Sequence, residues 1–354
     1  MPEGDVLHRL AQALDELFGP SRHSQYHEKP APVHVSSPQG RFAAGAELID
    51  SNYLTVTQAH GKHLFLGFTP EPWDIRKGFV LPSQENFDES DLTWLHIHLG
   101  LYGSWVFDGD SSFIAPHSIG APRRRFGEGG EKAIGSDGKP LSVPEIQAGS
   151  SQHHESAETD AAASETWNAP QPRGQVRVRF ESEHGVADLS GPNRCHIVTT
   201  DEKQAIHRRL GPDPLDPGSD PYAFVDAVRS SSRTIAQLLM DQSVIAGVGN
   251  IYRAESLLRA PISPHRQGKN ISEARLKRLW DDLVGLMNHG VDVGRIETIE
   301  SEHIPDPLPP DDAAAARYYV YHRTGRACLL CGTIVQSAQV DGRTLYWCPG
   351  CQNR

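Results

Sequence analysis

The sequence predicts a multidomain α+β protein, and three observations predict it. Short β-type runs crowd the first half, apolar residues at helical spacing fill the stretch after residue 200, and two Cys-x2-Cys pairs close the chain. With 354 residues the chain can bury a sizeable core and divide into two or three domains.

The opening segment reads as a helix. Val6, Leu7, Leu10, Leu14, Leu17 and Phe18 recur at three- and four-residue spacing and form one apolar face. Pro2 and Glu3 suit its first turn. From about 33 to 107 the pattern changes to Val33–Val35, Leu54–Val56, His63–Phe68, Trp94–Leu99 and Trp105–Phe107, broken by Gly, Pro and Asn as in a sandwich or barrel. Strand signals return at Val176–Phe180 and Val186–Leu189.

Residues 110–172 are rich in Gly, Ser, Ala, Pro and Glu and read as a disordered surface insertion. Its Arg123-Arg124-Arg125 run could touch phosphate, but a solvated loop is expected. The acidic stretch 71–91 reads as a second insertion. Helices are expected over 202–210, 221–230, 233–241, 250–259 and 272–288, the last with Leu276, Leu279, Trp280, Leu283, Leu286 and Met287 on one face. A Pro/Asp/Ala-rich linker, 301–316, leads to a short β-rich unit. The domains are therefore expected at 1–200, 201–300 and 301–354.

The formal net charge of −11 argues weakly against a polyanionic partner. Most of it lies in the two expected insertions, whereas 317–354 carries five Arg against Asp341 alone. A local basic face matters to nucleic acid more than the sum. No run approaches the ~18 apolar residues of a membrane span. The terminus shows no secretory pattern, so an intracellular protein is expected.

Cys328-x2-Cys331, sixteen residues and Cys348-x2-Cys351 fit a structural Zn2+ site in which four thiolates leave no open position. The alternative is a pair of disulfides in a secreted fold. Cys195 reads as a small buried side chain. Between the knuckles, Ile334–Val340 and Thr344–Trp347 read as hairpin arms joined through Asp341-Gly342. Arg343 would project from that turn, toward phosphate or simply into solvent.

Three further places carry possible chemistry. Gly247 and Gly249 precede Asn250, a favoured N-cap, and free N–H groups at a helix start suit phosphate as readily as an ordinary cap. Lys62, in Gly61-Lys62-His63-Leu64-Phe65, roots on a strand while its head can reach outward. Removal of Met1 would leave Pro2 as a secondary amine beside the Glu3 carboxylate. An α-amine titrates near pH 8, so at pH 7.5 about a third is free base, against about one part in a thousand of a lysine. Attack of that amine on C1′ of a deoxyribose would displace the base and give an iminium, with Glu3 moving protons.

Taken together, Met1-Pro2-Glu3-Gly4, Gly61-Lys62-His63-Leu64-Phe65, Leu210-Gly211-Pro212-Asp213-Pro214-Leu215, Gly247-Val248-Gly249-Asn250-Ile251-Tyr252 and the cysteine ribbon with Gly342-Arg343 resemble the formamidopyrimidine-DNA glycosylase/endonuclease VIII family. The motifs stand in family order over nearly the whole chain. The resemblance implies an N-terminal β-sandwich with flanking helices, a helix–two-turns–helix domain and a C-terminal zinc ribbon, with damaged DNA as partner and the target nucleotide flipped out of the stack. It implies Pro2 as Schiff-base nucleophile, Glu3 as acid/base, Lys62, Asn250 and Arg343 on phosphates, and base removal followed by β,δ-elimination. A monomer in the cytoplasm, at the nucleoid, is expected.

Gly4 and His98-Leu99-Gly100-Leu101-Tyr102-Gly103 resemble the endonuclease VIII branch, whose substrates are oxidised pyrimidines, with Leu101 and Tyr102 matching residues inserted into the duplex void. Gly100 stands where that branch's well-known bacterial form has Gln, and Val6 where many members have Glu. The alternatives are an oxidised-purine glycosylase, a catalytically inactive DNA-binding relative, and a zinc-ribbon adaptor.

Overall fold

The computed structural model describes residues 2–22, 29–72, 89–110, 112–113, 116, 118–120 and 167–353. Eleven strands among them form three antiparallel sheets. Strand β1 (His34–Ser36), β7 (Val176–Glu181), β8 (Gly185–Ser190), β5 (Ser104–Gly109) and β6 (Ser118–Gly120) lie in that order in a five-stranded sheet. A four-stranded sheet runs β2 (Tyr53–His60), β3 (His63–Thr69), β4 (Thr93–His98) and β9 (Arg194–Val198).

Alternation along the strands makes these two sheets a sandwich. Leu64, Leu66 and Phe68 of β3 and Leu95 and Ile97 of β4 share one core with Trp105, Val178, Phe180, Ala187 and Leu189 of the other sheet. The intervening Phe65 and Trp94 face the opposite way, onto Val56, Leu92, Val198 and Ile206. Helix α1 (Gly4–Phe18) adds Leu7, Leu10, Leu14, Leu17 and Phe18 to the sandwich core. Helix α2 (Ala43–Ile49), unmarked by any apolar stripe in the sequence, joins through Ala46 and Ile49.

The boundaries of the expected insertions shift. Phe113 is buried in the sandwich core and Ser118–Gly120 pairs with Ser104–Val106, so the start of 110–172 belongs to the sheet. Two apolar anchors, Phe113 and Ile119, hold it there despite its polar composition. Residues 121–166, with the Arg123–Arg125 run, lie outside the described residues, as do 73–88 of the 71–91 stretch. At the end of the latter, Glu89 pairs with Lys203 at 2.8 Å.

Beyond the sandwich come α3 (Thr200–His207), α4 (Pro221–Arg229), α5 (Ile235–Leu238), α6 (Asn250–Arg259) and α7 (Glu273–Val293). Local chemistry sets their ends. Thr199 and Glu202 form a reciprocal cap on α3, Asp220 accepts from the Tyr222 N–H ahead of α4, and α7 stops at Gly294, whose φ is 74°. The expected 233–241 helix is only one turn long, and α7 runs five residues past its expected end. Leu276, Leu279, Trp280, Leu283, Leu286 and Met287 pack as their spacing requires, against Phe224, Ile235, Ile245 and Tyr252.

The expected linker is part of the packing. Arg323, nearly fully buried like Asp312, donates to its carboxylate through Nε and Nη2 in three hydrogen bonds of 2.9 to 3.2 Å. The chain ends in the hairpin β10 (Gln336–Val340) and β11 (Arg343–Trp347), whose Leu345 enters the helical core. No helix among the described residues is long and apolar enough to cross a membrane.

Candidate active site and nucleic-acid interface

Pro2 is buried, immediately before α1. Glu3 occupies the N-cap position of that helix, yet its side chain does not cap it. It reaches instead across to α6. One carboxylate oxygen accepts from the Ile251 N–H at 2.8 Å, and the other from Gly249 at 2.8 Å and Tyr252 at 3.3 Å. These are donors that a helix start leaves unsatisfied, and a carboxylate is the charge that the positive helix end favours. Gly249 is required by closeness: a Cβ there would lie 2.4 Å from Glu3 Cδ. A backbone bond from Gly4 N–H to Gly247 C=O at 2.9 Å completes the clasp.

This arrangement corrects two expectations about Asn250. The N-cap of α6 is Gly249, and Asn250 is the first helical residue. Because Glu3 satisfies the helix start, the N–H groups of Gly249, Ile251 and Tyr252 are not open to phosphate. The Asn250 side chain donates to Thr344 C=O of β11 at 2.9 Å and accepts from Arg253. It ties α6 to the hairpin.

Lys62 lies in the turn between β2 and β3, where Gly61 has φ 57°. The turn is held from outside: Gly61 N–H donates to Asp213 at 2.6 Å, and the same carboxylate oxygen meets His8 at 2.9 Å. Lys62 was expected to reach outward, and it does not. It is buried, and its ammonium donates to Val248 C=O at 2.8 Å. Burial pushes its pKa down to about 8; the Glu3 charge opposes that shift and the Arg343 charge adds to it.

Arg343 is half-buried at the first position of β11, near enough to Lys62 and Arg253 for its charge to act on both. Asp341 and Gly342, at φ 49° and 74°, make the tight reversal that places it. Motif reasoning missed a third cation, Arg253, one helical turn after Asn250. It is 1% exposed, donates to Thr344 C=O at 3.2 Å, and has an Nε with no hydrogen-bond partner. Burial and the Arg343 charge lower its pKa to about 10. Lys62, Arg253 and Arg343 thus crowd together near Glu3, with Asp5 also acting on Lys62 and Asp341 on Arg253, and an anion would be drawn to the three cations.

Leu101 and Tyr102 are 54% and 64% exposed in the β4–β5 turn. Gly100 before them has φ 68°, and a Cβ there would approach Asn193 Cβ to 2.7 Å, so Gln at this position would be strained. Behind the turn runs a chain of imidazoles that sequence reasoning passed over. His63 Nδ1 meets His96 Nε2 at 2.8 Å, and His96 Nδ1 meets His196 Nε2 at 3.4 Å. Burial and neighbouring positive groups push His63 down to about 3 and His96 to about 2, so both stay neutral. The signal was His96 and His98 at strand alternation, hidden within an apolar run.

Cys328, Cys331, Cys348 and Cys351 bring their sulfurs within 4.8 Å of one another. The Cys328–Cys351 and Cys331–Cys348 separations, 3.9 and 3.4 Å, exclude disulfides, whose sulfurs lie about 2.05 Å apart. They bracket the ~3.8 Å expected between sulfurs around a tetrahedral ion with ~2.3 Å bonds. The four thiols can hold one metal. Cys195, the remaining cysteine, is a half-buried thiol on β9 that burial pushes up to about 12. The ribbon is also pinned from α6. Glu255, fully buried, accepts from the N–H groups of Tyr319, Val320 and Tyr321 at 2.8 to 2.9 Å and from the Thr298 hydroxyl at 2.7 Å.

The formamidopyrimidine-DNA glycosylase H2TH domain matches residues 210–301. Proteins named Endonuclease 8 1 from Mycobacterium bovis and Mycobacterium tuberculosis are each 34% identical over 355 residues, covering 99% of this chain and 100% of theirs. A formamidopyrimidine-DNA glycosylase from Thermus thermophilus is 37% identical over 145 residues, 41% of this chain and 54% of that protein. Among solved structures, Lactococcus lactis Fpg bound to N7-benzyl-Fapy-dG DNA shares the fold, with a TM-score of 0.60 at 16% identity over 100% of both chains. The 34% identity to Endonuclease 8 1 over the full length of both chains shows that this chain belongs to the formamidopyrimidine-DNA glycosylase/endonuclease VIII family of base-excision-repair DNA glycosylases, and the matched H2TH domain and the cysteine cluster agree with it.

Proposed function

We propose that the chain is a bifunctional DNA glycosylase and abasic-site lyase acting on oxidised pyrimidines in damaged DNA, with Pro2 as nucleophile once Met1 is removed. The observation that carries the reading is the placement of Glu3. A buried carboxylate next to Pro2 is held by three backbone N–H groups, beside Lys62, Arg253 and Arg343.

The Pro2 nitrogen attacks C1′ and the C1′–base bond breaks, its electrons leaving with the base. The sugar ring opens and a cationic iminium joins Pro2 to C1′. Glu3 delivers and recovers protons at the sugar, and is rigid enough to do so because the start of α6 fixes it. The iminium acidifies C2′–H, whose loss expels the 3′ phosphate; a second elimination expels the 5′ phosphate. Lys62 and Arg343 are assigned to the flanking phosphates. Asn250 acts less directly, holding β11 against α6 so that Arg343 is in place. Leu101 and Tyr102 are assigned to the space vacated by the flipped nucleotide. Cys328, Cys331, Cys348 and Cys351 would hold a structural Zn2+ that supplies folding energy to the hairpin and takes no part in the reaction.

The full-length likeness to proteins named Endonuclease 8 favours oxidised pyrimidines. A second reading, an oxidised-purine glycosylase, is favoured by the shorter matches to proteins named formamidopyrimidine-DNA glycosylase. Borohydride trapping on duplexes carrying an oxidised pyrimidine, an oxidised purine or an abasic site tests both. Covalent complex with abasic DNA and faster excision of the pyrimidine is expected; faster excision of the purine favours the second reading. No trapped complex on any duplex refutes the glycosylase/lyase mechanism.

A further inference from the structure

One acid beside Glu3 has no part in that scheme. Asp5, in the first turn of α1, is 2% exposed, and its Oδ1 has no hydrogen-bond partner. The next residue, Val6, packs against the sandwich core. Asp5 faces the other way, toward Tyr252 of α6 and Gly290 of α7.

The carboxyl meets the Val6 N–H, its own N–H and the Tyr252 hydroxyl, and these hydrogen bonds favour the charged form against burial and the Glu3 charge. Gly290 of α7 leaves room for the pair: a Cβ there would lie 2.4 Å from Tyr252 Oη and 3.0 Å from Asp5 Oδ2. Tyr252 joins the two acids, its backbone N–H donating to Glu3 and its side chain meeting Asp5. The Tyr252 hydroxyl also donates to Leu286 C=O at 3.5 Å. A phenol has one proton to give, and Leu286 C=O and the Asp5 carboxyl both face it; when Leu286 receives it, a protonated Asp5 can donate to the Tyr252 oxygen in return. The ionisable groups facing Asp5 are Glu3 from its own segment, Lys62 from the β2–β3 turn, Tyr252 from α6 and Tyr318 from the segment before the ribbon. Burial, and then the Glu3 charge, push Asp5 up to about 7.

We propose that Asp5 works as a neutral acid, a positioning residue that leaves Glu3 the single negative charge under the N-terminus, and that its ionisation slows base excision on the alkaline side. The inference rests on the acid/base role given to Glu3 above. Loss of the Asp5 proton to solvent would set two carboxylates together in a low-dielectric space. Their repulsion would loosen Glu3 from Gly249, Ile251 and Tyr252, or force a proton onto it.

The test is single-turnover excision of an oxidised pyrimidine from duplex DNA between about pH 5.5 and pH 9, for wild type and Asp5→Asn, with borohydride trapping alongside. Asn mimics the neutral acid in shape. Wild-type excision should fall above an inflection near pH 7, approaching tenfold per pH unit. In the variant that inflection should vanish, leaving it at least about tenfold faster than wild type near pH 8.5. Superimposed profiles, or a folded variant slowed equally at every pH, would overturn the inference while leaving the glycosylase reading intact. A wild type that neither excises nor traps would sink that reading itself. Should the variant not fold, the Asp5 carboxyl carbon resonance in wild type decides. A neutral acid at pH 6 is expected, and a carboxylate there overturns the proposal.

Discussion

The ammonium of Lys62 donates to the carbonyl of Val248, 186 residues further along the chain, at 2.8 Å. The same carbonyl accepts from Gln242 at 3.0 Å. The lysine therefore supplies charge to the site without being the sole partner of the group it touches.

Lys62→Met should stabilise the free protein and weaken DNA binding. Burial lowers the folded pKa to about 8 from an ordinary value of 10.5, so between those values the unfolded chain binds more protons and wild-type stability rises with pH. The gain from Met should therefore be full below pH 8, on the order of 1–3 kcal/mol, and shrink toward pH 10.5. Thermal melts across that range, with affinity for abasic DNA, check both effects.

Pro2→Gly should abolish the borohydride-trapped complex, largely or wholly, and leave metal content unchanged. Glu3→Gln should slow excision by about 10²–10⁴-fold. It should also lower stability by about 1–3 kcal/mol, since the amide meets the Gly249, Ile251 and Tyr252 N–H groups without a full charge. Full lyase activity in the Gly variant would remove Pro2 from the mechanism.

Arg343→Ala should weaken DNA binding about equally on all sequences and reduce the slope of log affinity against log salt by about 1. It should also raise the Lys62 pKa, because the Arg343 charge is one of the forces holding it down. A salt titration and the alkaline limb of DNA binding report the two effects.

A chelator that strips the Zn2+ proposed for the four cysteines should abolish DNA binding before it unfolds the sandwich. The hairpin carries Arg343 and the Thr344 carbonyl that holds Asn250 and Arg253, whereas Leu64, Phe68 and Trp105 pack in a separate core. Far- and near-ultraviolet circular dichroism during chelation, with a binding assay, would show whether the losses separate. Glu255→Gln should act in the same direction by weakening the hold on Tyr319, Val320 and Tyr321.

Periodicity made the sandwich strands, α1 and α7 legible, because Leu64, Leu66 and Phe68, or Leu276, Leu279 and Leu283, announce a buried face directly. Strand β9 was not legible: its Arg194 and His196 are polar, and only its place beside β4 makes them part of a sheet. At the site, motif order marked Pro2, Glu3, Lys62 and Arg343. It did not show that Lys62 is buried, that Glu3 serves the start of α6, or that Arg253 and Asp5 stand beside them. Those facts depend on contacts across some 190 to 250 residues, which no local pattern carries.

The clasp between Glu3 and Gly249 has a consequence for how the protein is made. Its two halves are 246 residues apart, so a ribosome finishes the amine-bearing end long before the backbone that holds its acid. An incomplete chain lacks the Gly249, Ile251 and Tyr252 N–H groups that fix the Glu3 carboxylate, and the Arg253 and Arg343 charges beside it. The acid is held in place only once α6 has been made and has folded back onto the N-terminal segment.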